Sequence, residues 1–176
     1  MFWWNLFGKH KGVYKGTKHA AGKLIAGSMH PPYDVMGFQE CEKPEELLDP
    51  VGLLSQYEVF LGAHAICMAY RKTAWSLLER GEGDVAEDQV TEYYGTRGTQ
   101  WMRLRHKETS ETLFFVNHHG PLHVNSGGAC GGVSTAHNLL TLIADKGAVG
   151  DIIILVGDFN ANAASLTVQE LWKHLV

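Results

Sequence analysis

Asp158 and Asn160 stand two residues apart in DIIILVGDFNAN, just beyond five apolar residues, Ile152 to Val156. A carboxylate and a carboxamide so spaced are hard oxygen groups, suited to Mg²⁺, Mn²⁺ or an attacking water better than to zinc. Three other places carry comparable groups: Asn5 inside FWWNLF, Glu40 closing YDVMGFQE, and Asn117-His118-His119 closing ETLFFVNHH. These residue types fit metal-assisted attack of water on a phosphate ester. A carboxylate such as Glu40 holds the metal, amides orient water or phosphate, and a histidine hydrogen-bonds developing charge or donates a proton. Turn capping accounts for any one of them. Four, each ending or interrupting an apolar segment, read as strand ends converging on one site.

The elements that must position these groups follow from the apolar pattern. The β-branched run Ile152 to Val156, stopped by Gly157, predicts a strand buried on both faces. Strands are also predicted over Phe2 to Phe7, Tyr33 to Glu40, Tyr57 to Leu61, His64 to Arg71, Ala74 to Leu78, Gln100 to His106 and Glu111 to Asn117. The alternation in QWMRLRH marks that strand as half-exposed. Helices are expected over Lys18 to Met29, blocked by Pro31-Pro32, from Lys43 to Leu48 with Pro44 in the first turn, and over Val133 to Ala144 and Val168 to Val176. Gly81 to Gly98 reads as a long polar surface loop and Gly120 to Gly132 as a glycine-rich turn. Short strands interspersed with helices predict an α/β layered fold.

Composition narrows the function classes. The chain has 176 residues, enough for one domain with a sizeable core, and its 45% hydrophobic and 19% charged content excludes a disordered chain. A net charge of -4 implies no broad basic face, so nucleic-acid binding by charge alone is not supported. Cys41, Cys67 and Cys130 show no CxxC spacing, which favours reduced thiols or at most one disulfide. No run approaches a membrane span, and the apolar start is too short for a signal peptide, so the compartment stays open. Ten histidines invite a zinc reading. His118, His119 and His123 cluster, but without HExxH spacing, and a histidine-based zinc hydrolase stands only as an alternative. GGACGG lacks the phosphate-loop pattern and reads as a rim loop. His64, within an apolar strand, reads as a satisfied core histidine.

The segments WNLFG, DVMGFQE, AICMAYR, FVNHHGPL and ILVGDFNA occur in the order of the motifs of the endonuclease/exonuclease/phosphatase superfamily, which the chain resembles over most of its length. The resemblance implies a four-layer α/β/β/α sandwich and an Mg²⁺- or Mn²⁺-dependent phosphoesterase. Carried over by position, Glu40 matches the metal-ligating Glu and Asn5 the first-strand Asn at the metal-bound site. His119 matches the His contacting the scissile phosphate, with Asn117 beside it as a further phosphate-binding residue and His118 in the variable position. Asp158 and Asn160 match the pair that positions water and phosphate, and Arg97 falls where some members place a phosphate-contacting Arg. The implied substrate is a phosphate ester (nucleic acid, phospholipid or inositol phosphate), with no transmembrane segment and no protein partner predicted. The family's closing Asp and Ser-Asp-His segment has no counterpart before Val176. The expectation is therefore a partial domain over residues 1–176, lacking the last strands of its second sheet and impaired in hydrolysis. The alternative is a non-catalytic remnant acting as a binding or structural module.

Overall fold

The computed structural model describes residues 19–28, 33–87, 96–122 and 129–176. Asn5 and His123 lie outside them, as does the predicted first strand. The described elements are, in order, α1 (Ala20–Ser28), β1 (Val35–Phe38), α2 (Pro44–Leu48), β2 (Tyr57–Leu61), β3 (Cys67–Arg71), β4 (Trp75–Glu87), β5 (Thr96–His106), β6 (Thr112–His119), α3 (Ala129–Lys146), β7 (Ile152–Asp158) and α4 (Leu166–Leu175). A single 3-10 turn, Asp49–Val51, follows α2.

Strands of period-two patterning bury one face against each neighbour layer, and two sheets result. The first runs β1-β3-β2, all antiparallel. The second runs β4-β5-β6-β7, antiparallel except for β6 and β7, which are parallel and joined through α3. Side-chain alternation decides which layer each residue meets. Met68 and Tyr70 of β3 pack on Met102, Leu104, Leu113 and Phe115 of the second sheet. Phe38, Cys67 and Ala69 turn the other way, onto Ile25, Leu47 and Leu48 of α1 and α2. On the far side, Trp101, Phe114 and Val116 meet Ile143 of α3, while Leu171 of α4 packs with Leu139 and Ala136. Helices, sheet, sheet, helices: this is the α/β/β/α sandwich expected from the resemblance.

Several expectations need correction. The polar stretch from Gly81 is no surface loop as far as it is described, because β4 continues to Glu87 in register with β5. Glycine made it read as loop, yet Gly81 sits where a Cβ would come within 2.7 Å of the Trp101 indole, so the glycine lets the strand pass a large ring. The strand over Gln100 to His106 is longer and mostly buried rather than half-exposed, since both faces of β5 are covered. Helix α3 begins at Ala129, inside the stretch read as a glycine-rich turn and rim loop. His64 is not in β3; it lies in the turn between β2 and β3, paired with Asp84. Finally, β7 is not buried on both faces. It ends the sheet among the described residues, and Ile152, Ile153 and Ile154 are 49%, 42% and 41% exposed.

Candidate active site at one end of the sandwich

Three strands deliver polar side chains to the same end. β6 and β7 run parallel, so His119 and Asp158 emerge side by side as register partners. The face on which Asn117 lies is the one turned toward the first sheet, and alternation puts His119 on it too. Val156 packs in the inter-sheet core, which places Asp158 on that face as well. β1 crosses above them: a Cβ on Gly37 would come within 2.8 Å of the Asn117 carboxamide and 3.1 Å of Val156. The chain then leaves β1 through Gln39 and Glu40 at this end.

Asn117 is fully buried and ties the sheets together. Its amide donates to the Phe38 carbonyl at 3.1 Å and to the Cys67 carbonyl at 3.2 Å, and its oxygen accepts from Gln39 Nε2 at 2.5 Å. These bonds occupy the groups with which it would meet a phosphate, so its part is to fix where Gln39, and hence Glu40, leave the first sheet. Sequence reading passed over Gln39, whose signal was its place before Glu40 in the QE pair.

Beyond β7 the backbone turns tightly. Asn160 donates its N–H to Asp158 Oδ1 at 3.0 Å and its side-chain amide to the Gly120 carbonyl at 2.8 Å. Gly120 in turn donates to the Asp158 carbonyl at 2.7 Å. The two residues therefore do cap a turn, and that turn is bolted to the end of β6. Its closeness requires glycine on both sides. A Cβ on Gly157 would lie 2.0 Å from the His118 carbonyl, and one on Gly120 2.4 Å from that of Phe159.

Backbone strain gathers at the same end. Six described non-glycine residues have positive φ, and four are here: Glu40 at 55°, His64 at 59°, Ala65 at 55° and Asn160 at 48°. Such conformations persist where surrounding structure over-determines them, commonly at functional sites. Two hydrogen bonds hold the His64 turn in place. Cys41, next to Glu40, donates to the Ala65 carbonyl at 2.7 Å, and Ala63 donates to Glu82 Oε2 at 2.8 Å.

Two of the residues singled out in the sequence lie on the helical side of the second sheet. His118 points to the helical side, fully buried beside the Phe159 ring, with Nδ1 2.9 Å from the Gly98 carbonyl. Burial pushes its pKa down to about 4; the Gly98 bond and Asp158 oppose this, while His119 and Arg97 add to it. A buried imidazole held neutral is not a base facing a substrate on the opposite side of the sheet. Arg97 is buried at the start of β5, on the face of Thr99 and Trp101 rather than that of Gly98 and Gln100.

Among the described residues no three His, Cys, Asp or Glu side chains gather into a metal cluster. Cys41 and Cys67 are buried free thiols, and burial, with Cys41 adjacent, holds the Cys67 thiol protonated. No described helix is long and apolar enough to cross a membrane.

No protein-family model matches the sequence, and no curated protein does. Solved structures do share its fold. An endonuclease/exonuclease/phosphatase family protein from Bacteroides thetaiotaomicron superposes with a TM-score of 0.72 at 20% identity, over 95% of this chain and 62% of that one. A mannosyl-6-phosphatase of the same organism gives 0.72 at 19%, over 95% and 65%. D. rerio TDP2, complexed with a single-strand DNA product, gives 0.66 at 16%, over 91% and 60%. The chain thus has the fold of the endonuclease/exonuclease/phosphatase proteins, the group its motifs resemble. It spans less than two thirds of the length of each of these three structures.

Proposed function

We propose that this chain is the larger part of a hydrolase domain acting on phosphate esters by attack of water. The observation that supports it best is the shared exit of β1, β6 and β7, which puts Glu40, His119, Asp158 and Asn160 at one end of the sandwich. Like folds include proteins named as a phosphatase and one bound to a DNA product, so the substrate is taken no further than a phosphate ester.

In this reading Asp158 holds the attacking water, and Asn160 keeps that carboxylate in place through the turn they share. His119 meets the scissile phosphate, and Asn117 positions the strand ends from within the core. A divalent cation, Mg²⁺ or Mn²⁺, would neutralise charge on the phosphate oxygens. Glu40 would hold it, and the donor chemistry fits: Mg²⁺ is commonly held by one or two carboxylates, with water and substrate phosphate completing its shell, rather than by a cage. Asn5 belongs to the same proposal by resemblance.

Calorimetric titration of Mg²⁺ tests the metal part. Glu40→Gln should weaken binding because an amide offsets a hard cation poorly, and equal affinities would move the metal away from Glu40. Hydrolysis of bis(p-nitrophenyl) phosphate with Mg²⁺, abolished by Asp158→Asn, tests the reaction. The second reading is a binding module that keeps the fold without turnover. Phosphate binding without hydrolysis would select it.

A further inference from the structure

The turn between β2 and β3 brings a histidine that neither motif nor resemblance assigns. His64 Nε2 lies 3.0 Å from Asp84 Oδ1, and its ring covers Gly98 so closely that a Cβ there would stand 2.7 Å from His64 Cδ2. Register then gives its place in the site. Asp84 pairs with Gly98, the next β5 residue pairs with His118, and His119 pairs with Asp158. Across β4, β5, β6 and β7 one row therefore reads Asp84, Gly98 with His64 upon it, His119, Asp158. Strands are spaced about 4.8 Å apart, so His64 stands on the far side of His119 from Asp158, roughly 10 Å from it.

That order carries chemical meaning in a displacement at phosphorus, where the attacking and leaving oxygens stand on opposite sides. With water on Asp158 and the phosphate at His119, the leaving group falls toward His64. The geometry points to His64, held by Asp84, as the catalytic residue that donates a proton to the leaving oxygen. This rests on the phosphoesterase reading above. Water oxygen bonds to phosphorus as the bond to the leaving oxygen breaks, and the breaking pair stays on that oxygen. The leaving oxygen takes the proton from His64 Nδ1, and the water proton passes to the Asp158 carboxylate. Solvent exchange resets both. Asp84, accepting from Nε2–H, fixes the ring and leaves Nδ1 to face the substrate. The strained, left-handed His64 and Ala65 are consistent with a turn held for this purpose rather than relaxed.

His64→Asn is the informative variant, because Asn tolerates positive φ and should keep the turn. Two esters are compared: a dinucleoside phosphate, whose alkoxide needs a proton, and bis(p-nitrophenyl) phosphate, whose leaving group does not. The expected result is a kcat loss of about 10²- to 10⁴-fold on the first and a small change on the second, with Asp84→Asn following the same pattern more weakly. Equal losses on both esters, or none on either, would overturn the assignment. Inorganic phosphate, titrated while His64, His119 and Asp158 are followed by NMR, gives a readout free of turnover. If His119 and Asp158 respond while the His64 ring resonances stay still, the inference alone fails. If none responds and neither ester is hydrolysed, the phosphoesterase reading fails and takes the inference with it.

Discussion

β6 and β7 are neighbours in register, both apolar, and both ending in polar residues, yet the fold treats them differently. From Leu113 to His119 every residue of β6 is buried, and Phe114, Val116, Asn117 and His118 are wholly so. β7 leaves three isoleucines more than two fifths exposed. Burial on both faces needs a strand on each side and a layer above and below; β6 has all of these, whereas β7 has one paired edge among the described residues. Hydrophobicity was equal, and position decided the outcome. Beside β7 a groove of about 340 Å³, lined by Ile153, Ile154, Phe159, Leu171, Trp172 and Val176, continues the apolar surface onto α4.

The largest expected effect separates the two strands directly. Phe114→Ala, which empties a fully buried ring site, should cost about 3–5 kcal/mol, while Ile153→Ala should cost under about 1 kcal/mol. Urea denaturation checks both. Comparable losses would break the comparison and show that the β7 edge is covered in solution.

His118 gives β6 a pH dependence. Its folded pKa of about 4 lies below the ordinary 6.5. Between those values the unfolded chain takes up a proton that the folded chain refuses. Stability should therefore fall as pH drops from about 6.5 toward 4 and lose no more from this group below that, by about 3 kcal/mol in all. Denaturation of wild type and His118→Gln across this range isolates the effect, because the variant should lose that part of the slope.

Asn117→Ala removes three hydrogen bonds between the sheets, and leaving Gln39 and two carbonyls unpaired should cost about 1–3 kcal/mol. The smallest effect belongs to the exposed edge. Ile153→Lys should change stability by about 0.5 kcal/mol or less while reducing self-association, read by sedimentation velocity. A stable, concentration-independent monomer in wild type would show that the exposed edge is no liability.

How much of this was legible beforehand varies by residue. The runs YEVF, TLFFV and IIILV carry their own β-branched and aromatic preference, so β2, β6 and β7 stood where expected, and Pro44 marked the start of α2 through its fixed φ and missing donor. The pairing of oxygen-bearing residues with strand ends was legible too, because strand length and polarity are local. The partner strand that kept Gly81 to Glu87 extended was not, since it is supplied from Thr96–His106, and glycine alone reads as loop. Nor was the fate of His64. Its neighbours Ala63, Ala65 and Ile66 look like core, and only the approach of Asp84 and Gly98 from the other sheet makes the turn a fixed polar corner. By itself the sequence determined which segments are strands and which groups end them. Tertiary structure alone decided which face each group takes, which strand lies at an edge, and which histidine is sealed and which is presented, because those depend on residues far away in the chain.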